Sequence, residues 1–243
     1  MTLRLNQQGH LILYLSGFIN RTFVEMNYMQ KKSLTIFFVL FYITANAQVK
    51  TVKLDESLLR LKAPDTCRAE FITTEGSFIV EVYRNWAPLA ADRFYQLVKS
   101  GYYNNCLVFR VVKNNLVQFG ISPDKTKNIF WQKHYLKDEP VVASNTDSTL
   151  CFARGGPDTR KTSVFINLKN NPAYDTVDIS GVKGFVPFGK VIQGMEVVRN
   201  LNAEYGNEPM QFVDSVYFKG NAHLLNKFPH LALISEARLI KNN

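Results

Sequence analysis

Residue spacings that hold metals or nucleotides are missing from this chain. Its four histidines, His10, His134, His223 and His230, are too dispersed for zinc-ligand spacing, and no glycine-rich phosphate loop follows a strand. No C-x-x-C occurs among its three cysteines, Cys67, Cys106 and Cys151, which points away from dithiol redox chemistry. No metal and no cofactor are expected. An odd count leaves at least one thiol unpaired. Cys106 and Cys151 each adjoin apolar strand-like runs, so buried free thiols are expected there, with a Cys106–Cys151 bridge as the alternative.

A membrane-spanning run is also missing. The apolar stretch from Leu34 to Ile43, broken only by Thr35, is shorter than the roughly 20 residues a bilayer requires. It follows Lys31-Lys32 and precedes Ala45-Asn46-Ala47. Basic, apolar and small A-x-A residues in that order predict a secretory signal peptide over residues 29–47, cleaved after Ala47. Residues 1–28 then read as an upstream, non-native start, with Met29 as the true one. No cysteine opens the mature chain to carry a lipid, so an exported, periplasmic protein without a stable membrane anchor is expected.

Concentrated charge of one sign is the third absence. The net charge is +9, and residues 1–47 hold Arg4, Arg21, Lys31 and Lys32 against Glu25, which leaves +6 on the mature chain. Those cations are scattered, without the basic-aromatic interleaving of a nucleic-acid surface, so no nucleic-acid partner is expected. Nothing in the sequence calls for a second copy, and a monomer is expected.

What is present is a series of short β-rich runs. Residues 48–67 read as a leader, and residues 68–241 as one domain that includes a C-terminal extension over 207–241. Residues 69–83, AEFITTEGSFIVEVY, alternate on either side of Glu75-Gly76 as a hairpin does. A helix is predicted from Pro88, with Leu89, Phe94, Leu97 and Val98 on one face and Gly101 as the C-terminal stop. Strands are predicted at 107–112, 116–120, 149–153, 163–167, 184–191 and 237–241, and a second helix at 194–206 with Met195, Val198 and Leu201 on one face. Between 122 and 149 lies a long polar segment. About eight strands and two helices without an internal repeat predict a mainly β fold, an antiparallel barrel capped by helices.

The stretch CLVFRVVKNNLVQFG, Cys106–Gly120, sets Arg110 among apolar strand residues, where a charge is costly unless paired. Arg110 and Gln118 are separated by an even number of residues, yet the intervening turn at 113–115 prevents strand parity from placing them on one face. The residues alone leave Arg110 open between a strand arginine paired to a carboxylate and a functional cation.

Five segments in order, APLAADRFYQLVKSGYY, FRVV with LVQFG, ARGGPDTRKTSVFIN, GFVPFGKVIQGMEVV and GNAHLLNKFPHLALISEARLI, resemble the cyclophilin peptidyl-prolyl isomerases over about residues 68–241. The resemblance is closest to an exported bacterial subgroup. It implies a cyclophilin-like eight-stranded antiparallel barrel capped by two α-helices, with a shallow groove for X-Pro segments of proline-containing polypeptides. It places the catalytic arginine at Arg110, the groove glutamine at Gln118, the floor of the proline pocket at Phe165, and the alanine that offers backbone to a peptide at Ala153.

The chain departs from the family at several of these positions. Leu116 stands for methionine, a mild change in volume. Asn115 stands for a pocket phenylalanine, Ser163 for a longer glutamine, and Phe185 for a histidine or other aromatic. Two functions from different classes follow: a prolyl isomerase working through Arg110, Gln118 and Phe165, or a non-catalytic peptide-binding module on the same fold, which Asn115 and Ser163 would favour.

Overall fold

The computed structural model describes residues 54–241; the signal-peptide reading at 29–47 lies outside the described residues. Ten strands are present among them: β1 (Thr66–Thr73), β2 (Gly76–Tyr83), β3 (Cys106–Val112), β4 (Leu116–Phe119), β5 (Thr149–Phe152), β6 (Val164–Asn167), β7 (Asp178–Ile179), β8 (Val182–Lys183), β9 (Pro187–Gln193) and β10 (Leu233–Ile240). Eight of them close an antiparallel barrel in the order β1-β10-β3-β4-β6-β5-β9-β2, and β7-β8 form a separate hairpin.

Alternation builds the barrel wall. In β1 every second residue is buried, and Phe71 stacks on Phe78 of β2 at 5.0 Å between ring centroids. Phe94, Tyr103 and Phe119 complete an aromatic core around Phe71. Residues 54–65 lie against this body: a single turn, α1 (Glu56–Leu59), buries Leu58, and Ala63 donates its N–H to Asp92.

Helix α2 (Pro88–Lys99) has proline in its first turn and ends in a Schellman arrangement, with Gly101 at φ +63° and the N–H of Tyr102 bonded to the Leu97 carbonyl. Its first-turn N–H groups, at Leu89 and Ala90, are capped from across the fold by the Glu139 carboxylate at 2.7 and 3.1 Å. Leu89 is 41% exposed and does not belong to the buried face, which instead includes Arg93 and Gln96.

The second predicted helix is shorter than the expected 194–206. Helix α4 (Met195–Asn200) stops because Leu201 turns extended, at φ −54° and ψ 139°, and Asn202 binds the backbone of Glu204 and His230 with its side chain. The polar 122–149 segment contains a helix that its sequence did not announce, α3 (Lys125–Gln132), capped by the Asp124 carboxylate and anchored by the fully buried Trp131.

The C-terminal extension is part of the barrel. Helices α5 (Asp214–Lys219) and α6 (Asn221–Leu225) lead to β10, which closes the wall between β1 and β3. Val213, Val216, Leu224 and Phe228 pack on Leu107 and Phe109, on the outer side of β3.

All three cysteines are free and buried. Cys106 belongs to the barrel core and Cys151 to a cluster on the other side of the wall, which separates the two thiols. Burial pushes the Cys67 thiol up to about 11, so it stays protonated at neutral pH.

Candidate active site

Arg110 and Val108 share strand parity, yet Val108 packs in the barrel core and Arg110 lines a groove outside it. The cause is a register shift: Val108 pairs with Phe119 and Arg110 with Gln118, so β3 carries one residue more than β4 over this step. A bulge of this kind re-aims the side chain that follows it. Without it, period-2 alternation would turn the guanidinium toward the aromatic core.

The pairing continues across the wall. Gln118 is opposite Phe165 on β6, and Phe165 is opposite Cys151 on β5, so Arg110, Gln118, Phe165 and Cys151 form one row over four strands. Gly120, at φ +110°, ends β4 where a Cβ would come within 2.5 Å of the Thr162 carbonyl oxygen. Only glycine allows β4 to approach the 162–163 backbone so closely.

The groove encloses about 280 Å³. Six of the eight residues named from the sequence line it: Arg110, Gln118, Leu116, Ala153, Phe165 and Phe185. Phe165, packed with Leu116 and Cys151, forms an apolar floor. Phe185 meets Phe165 edge-on at 5.2 Å.

Asn115 and Ser163 are not on the groove surface but beside it. Ser163 Oγ accepts from Gln118 Nε2 at 3.2 Å and donates to the Phe119 carbonyl. Asn115 Oδ1 accepts a long 3.4 Å bond from the Tyr174 hydroxyl. An aromatic ring stands beside Asn115 at Tyr174, which meets Phe165 at 6.0 Å and Phe185 at 5.6 Å.

Tyr174, Met210 and Arg154 also line the groove and were not found from the sequence. Tyr174 sits in a 3₁₀ turn, Pro172–Asp175, held by Asp175, whose carboxylate accepts from Asn145 N and Nδ2 and from Ser144 Oγ. Arg154 holds the β7-β8 hairpin through the carbonyls of Ile179, Val182 and Gly184 and lies 5.2 Å over the Phe185 ring. Met210 comes from the C-terminal extension.

The electrostatics centre on Arg110. Its Nε donates to Asn207 Oδ1 at 2.7 Å and its Nη1 to Gln118 Oε1 at 3.0 Å. Both partners are neutral amides, and among the described residues no carboxylate pairs with this guanidinium. A chain of donors runs from Arg110 to Gln118 to Ser163 to the Phe119 carbonyl, and it fixes both the Gln118 amide and the guanidinium plane. Nη2 is left without a hydrogen bond among the described residues. The site therefore offers a fixed, un-neutralised cation beside an aromatic pocket, suited to stabilising charge that appears on a bound amide.

A family model described as cyclophilin type peptidyl-prolyl cis-trans isomerase/CLD matches residues 68–217. A peptidyl-prolyl cis-trans isomerase of Acinetobacter baylyi is 32% identical over 133 residues, covering 54% of this chain and 70% of that protein. The peptidyl-prolyl cis-trans isomerase-like 1 of Aspergillus fumigatus is 31% identical over 150 residues, covering 60% of this chain and 88% of that protein. The crystal structure of a Cryptosporidium parvum cyclophilin type peptidyl-prolyl cis-trans isomerase shares the fold with a TM-score of 0.52 at 21% identity, over 73% of this chain and 99% of that one. A second structure of that parasite protein was obtained in the presence of the dipeptide Ala-Pro. The relatives are bacterial and fungal alike, so the family is clear and the narrower exported bacterial subgroup is not marked by them.

Proposed function

This chain belongs to the cyclophilin-type peptidyl-prolyl cis-trans isomerases and is such an isomerase, and we propose that it turns X-Pro bonds of exported polypeptides in the groove between Arg110 and Phe165. An X-Pro amide isomerises unaided in tens to hundreds of seconds, because conjugation of the nitrogen lone pair sets a barrier of about 18–20 kcal/mol. Whatever localises that lone pair on nitrogen lowers the barrier.

In this reading the proline ring rests on Phe165 and Leu116, between Tyr174 and Phe185. The Arg110 guanidinium donates to the prolyl nitrogen as it pyramidalises, an interaction stronger in the twisted amide than in either planar ground state. The backbone at Ala153 aligns the peptide. Gln118, positioned by Ser163, and Asn207 hold the guanidinium. No nucleophile, proton transfer or cofactor takes part.

One observation carries the reading: among the described residues Arg110 keeps only neutral amide partners, beside an aromatic-floored groove. Arg154, which holds the β7-β8 hairpin, also lacks a carboxylate among the described residues but gives its donors to backbone carbonyls, whereas Arg110 is held by two side-chain amides at the edge of the groove. The test is the isomerisation rate of a short X-Pro peptide. Wild type is expected to exceed the uncatalysed rate and Arg110→Ala to lose about 10²–10³-fold in kcat/KM. An Arg110→Ala variant as active as wild type would refute the role given to the guanidinium.

Export rests on the signal-like order of residues 29–47, and places the substrates among proline-containing chains that fold outside the cytoplasm. Cell fractionation with N-terminal sequencing checks it: a periplasmic form starting at Gln48 is expected, and a cytoplasmic chain with residues 29–47 intact would overturn it.

A further inference from the structure

A second cavity, of about 580 Å³, lies between residues 59–62, helix α2 and residues 133–136, and shares no lining residue with the groove. Its charge is one-sided. Arg60, Lys62, Arg93 and Lys133 line it, against a single carboxylate, Asp92. Asp92 is already committed: it accepts from the Ala63 N–H and from Arg84 Nε and Nη2 at 2.8–3.1 Å. None of the four cations forms a salt bridge among the described residues.

Arg93 makes this more than a solvated basic surface. It is 5% exposed, on the buried face of α2. Its Nη1 donates to the carbonyls of His134 and Lys161, its guanidinium lies 4.9 Å over the Trp131 ring, and its Nε is buried without a partner. Nη2 makes no hydrogen bond among the described residues. Backbone carbonyls and a ring face do not neutralise a buried guanidinium, and an uncompensated buried charge is costly. Burial pushes its pKa down to about 10, which still leaves it charged at neutral pH. Leu59, Leu61, Leu89 and Leu136 supply an apolar part of the lining, beside Gln96, His134 and Tyr135.

We propose that this cavity is a second binding site, for an acidic peptide segment with apolar neighbours, whose carboxylate lies against Arg93 and the rim cations Lys62 and Lys133 while its apolar side chains cover the leucines. An anion there supplies the counter-charge that the fold withholds from Arg93. The site needs no proline, and would hold a polypeptide at a place other than the one where its amide is turned.

The experiment titrates the proline-free peptide acetyl-Leu-Glu-Leu-Glu-amide into the full chain and follows backbone amide resonances. Shifts are expected at residues 59–62 and 133–136 and not at Arg110, Gln118 or Phe165. The charge reversals Lys62→Glu and Lys133→Glu, both at exposed positions, are expected together to weaken binding about tenfold or more and to steepen no other property, with X-Pro isomerisation unchanged. Arg93→Met is expected to abolish measurable binding. The idea falls if the acidic peptide shifts nothing, if its shifts fall in the groove, if the same peptide with lysine in place of glutamate binds as well, or if the double charge reversal binds as tightly as wild type.

Discussion

Arg110 in the groove and Arg160 beneath residues 136–139 carry one kind of side chain into opposite settings. Arg160 is 2% exposed and bound by acids and carbonyls: Glu139 at 3.1 Å, Asp138 at 3.7 Å, and the Lys137 carbonyl. Arg110 is half-buried and, among the described residues, bound only by the amides of Asn207 and Gln118. The first guanidinium is spent on the fold, since the Glu139 it holds also caps α2. The second is held in place but not neutralised. An arginine inside a protein is therefore informative less by its burial than by the charge of whatever satisfies it.

Removing each arginine in turn, with stability and activity read together, separates the two settings. Arg160→Leu leaves the Glu139 carboxylate, itself 8% exposed, without its cation. Loss of one partner of a buried pair costs about 3–5 kcal/mol, which a urea titration would read as a lower midpoint, while the folded fraction keeps its isomerase rate. Arg110→Ala is expected to do the reverse, changing stability by no more than about 0.5 kcal/mol as at other partly exposed positions while activity falls. If both variants lose both properties in parallel, the distinction between them fails.

Next in size is the wall. Tyr174→Ala removes two edge contacts, to Phe165 and Phe185. Aromatic pairs contribute about 0.5–1.5 kcal/mol each beyond area burial, so a loss of about tenfold in kcat/KM is expected, seen mostly as a higher KM in a peptide assay. An unchanged KM would remove Tyr174 from the pocket.

The same wall gives a pH prediction. Burial opposes ionisation of Asp175, but hydrogen bonds from Ser144 and Asn145 outweigh it and hold its carboxyl below the ordinary 3.8. A depressed carboxylate contributes stability that is fully present above its unfolded value and is lost as pH falls through the folded one. Wild type is therefore expected to lose denaturant resistance below about pH 4, and Asp175→Asn to be weaker at neutral pH with a flatter acid profile. Equal acid profiles for the two would exclude this carboxylate as the cause.

The parts of the molecule that were legible in the sequence are those set by neighbours along the chain. The β1-β2 alternation, Pro88 and Gly101 bounding α2, and the eight-strand count each depend on a few adjacent residues. The parts that were not legible depend on distant partners or on one extra residue. Period-2 reading cannot see the bulge that turns Arg110 outward. Tyr174 is held at the groove by distant partners, through Asp175 tied to Asn145, 30 positions earlier, and through its carbonyl, which accepts from the Phe185 N–H. Asn207 and Met210 arrive from the far end of the domain, and α3 is marked in sequence only by Asp124 and by Trp131.

The smallest expected effect separates sequence correspondence from geometry most cleanly. By correspondence, Asn115 is a lost aromatic wall, and Asn115→Phe restores it and raises activity. By geometry, position 115 lies beside the groove, its amide side chain makes only a 3.4 Å bond to the Tyr174 hydroxyl, and the wall is already built. A bond that long contributes little, and the backbone role of Asn115, accepting from the Leu168 N–H, is indifferent to its side chain. Asn115→Phe is therefore expected to alter kcat/KM by no more than about twofold and stability by no more than about 0.5 kcal/mol. A tenfold gain in the same peptide assay would mean that a ring at 115 reaches the proline and that Tyr174 is a poor substitute for it.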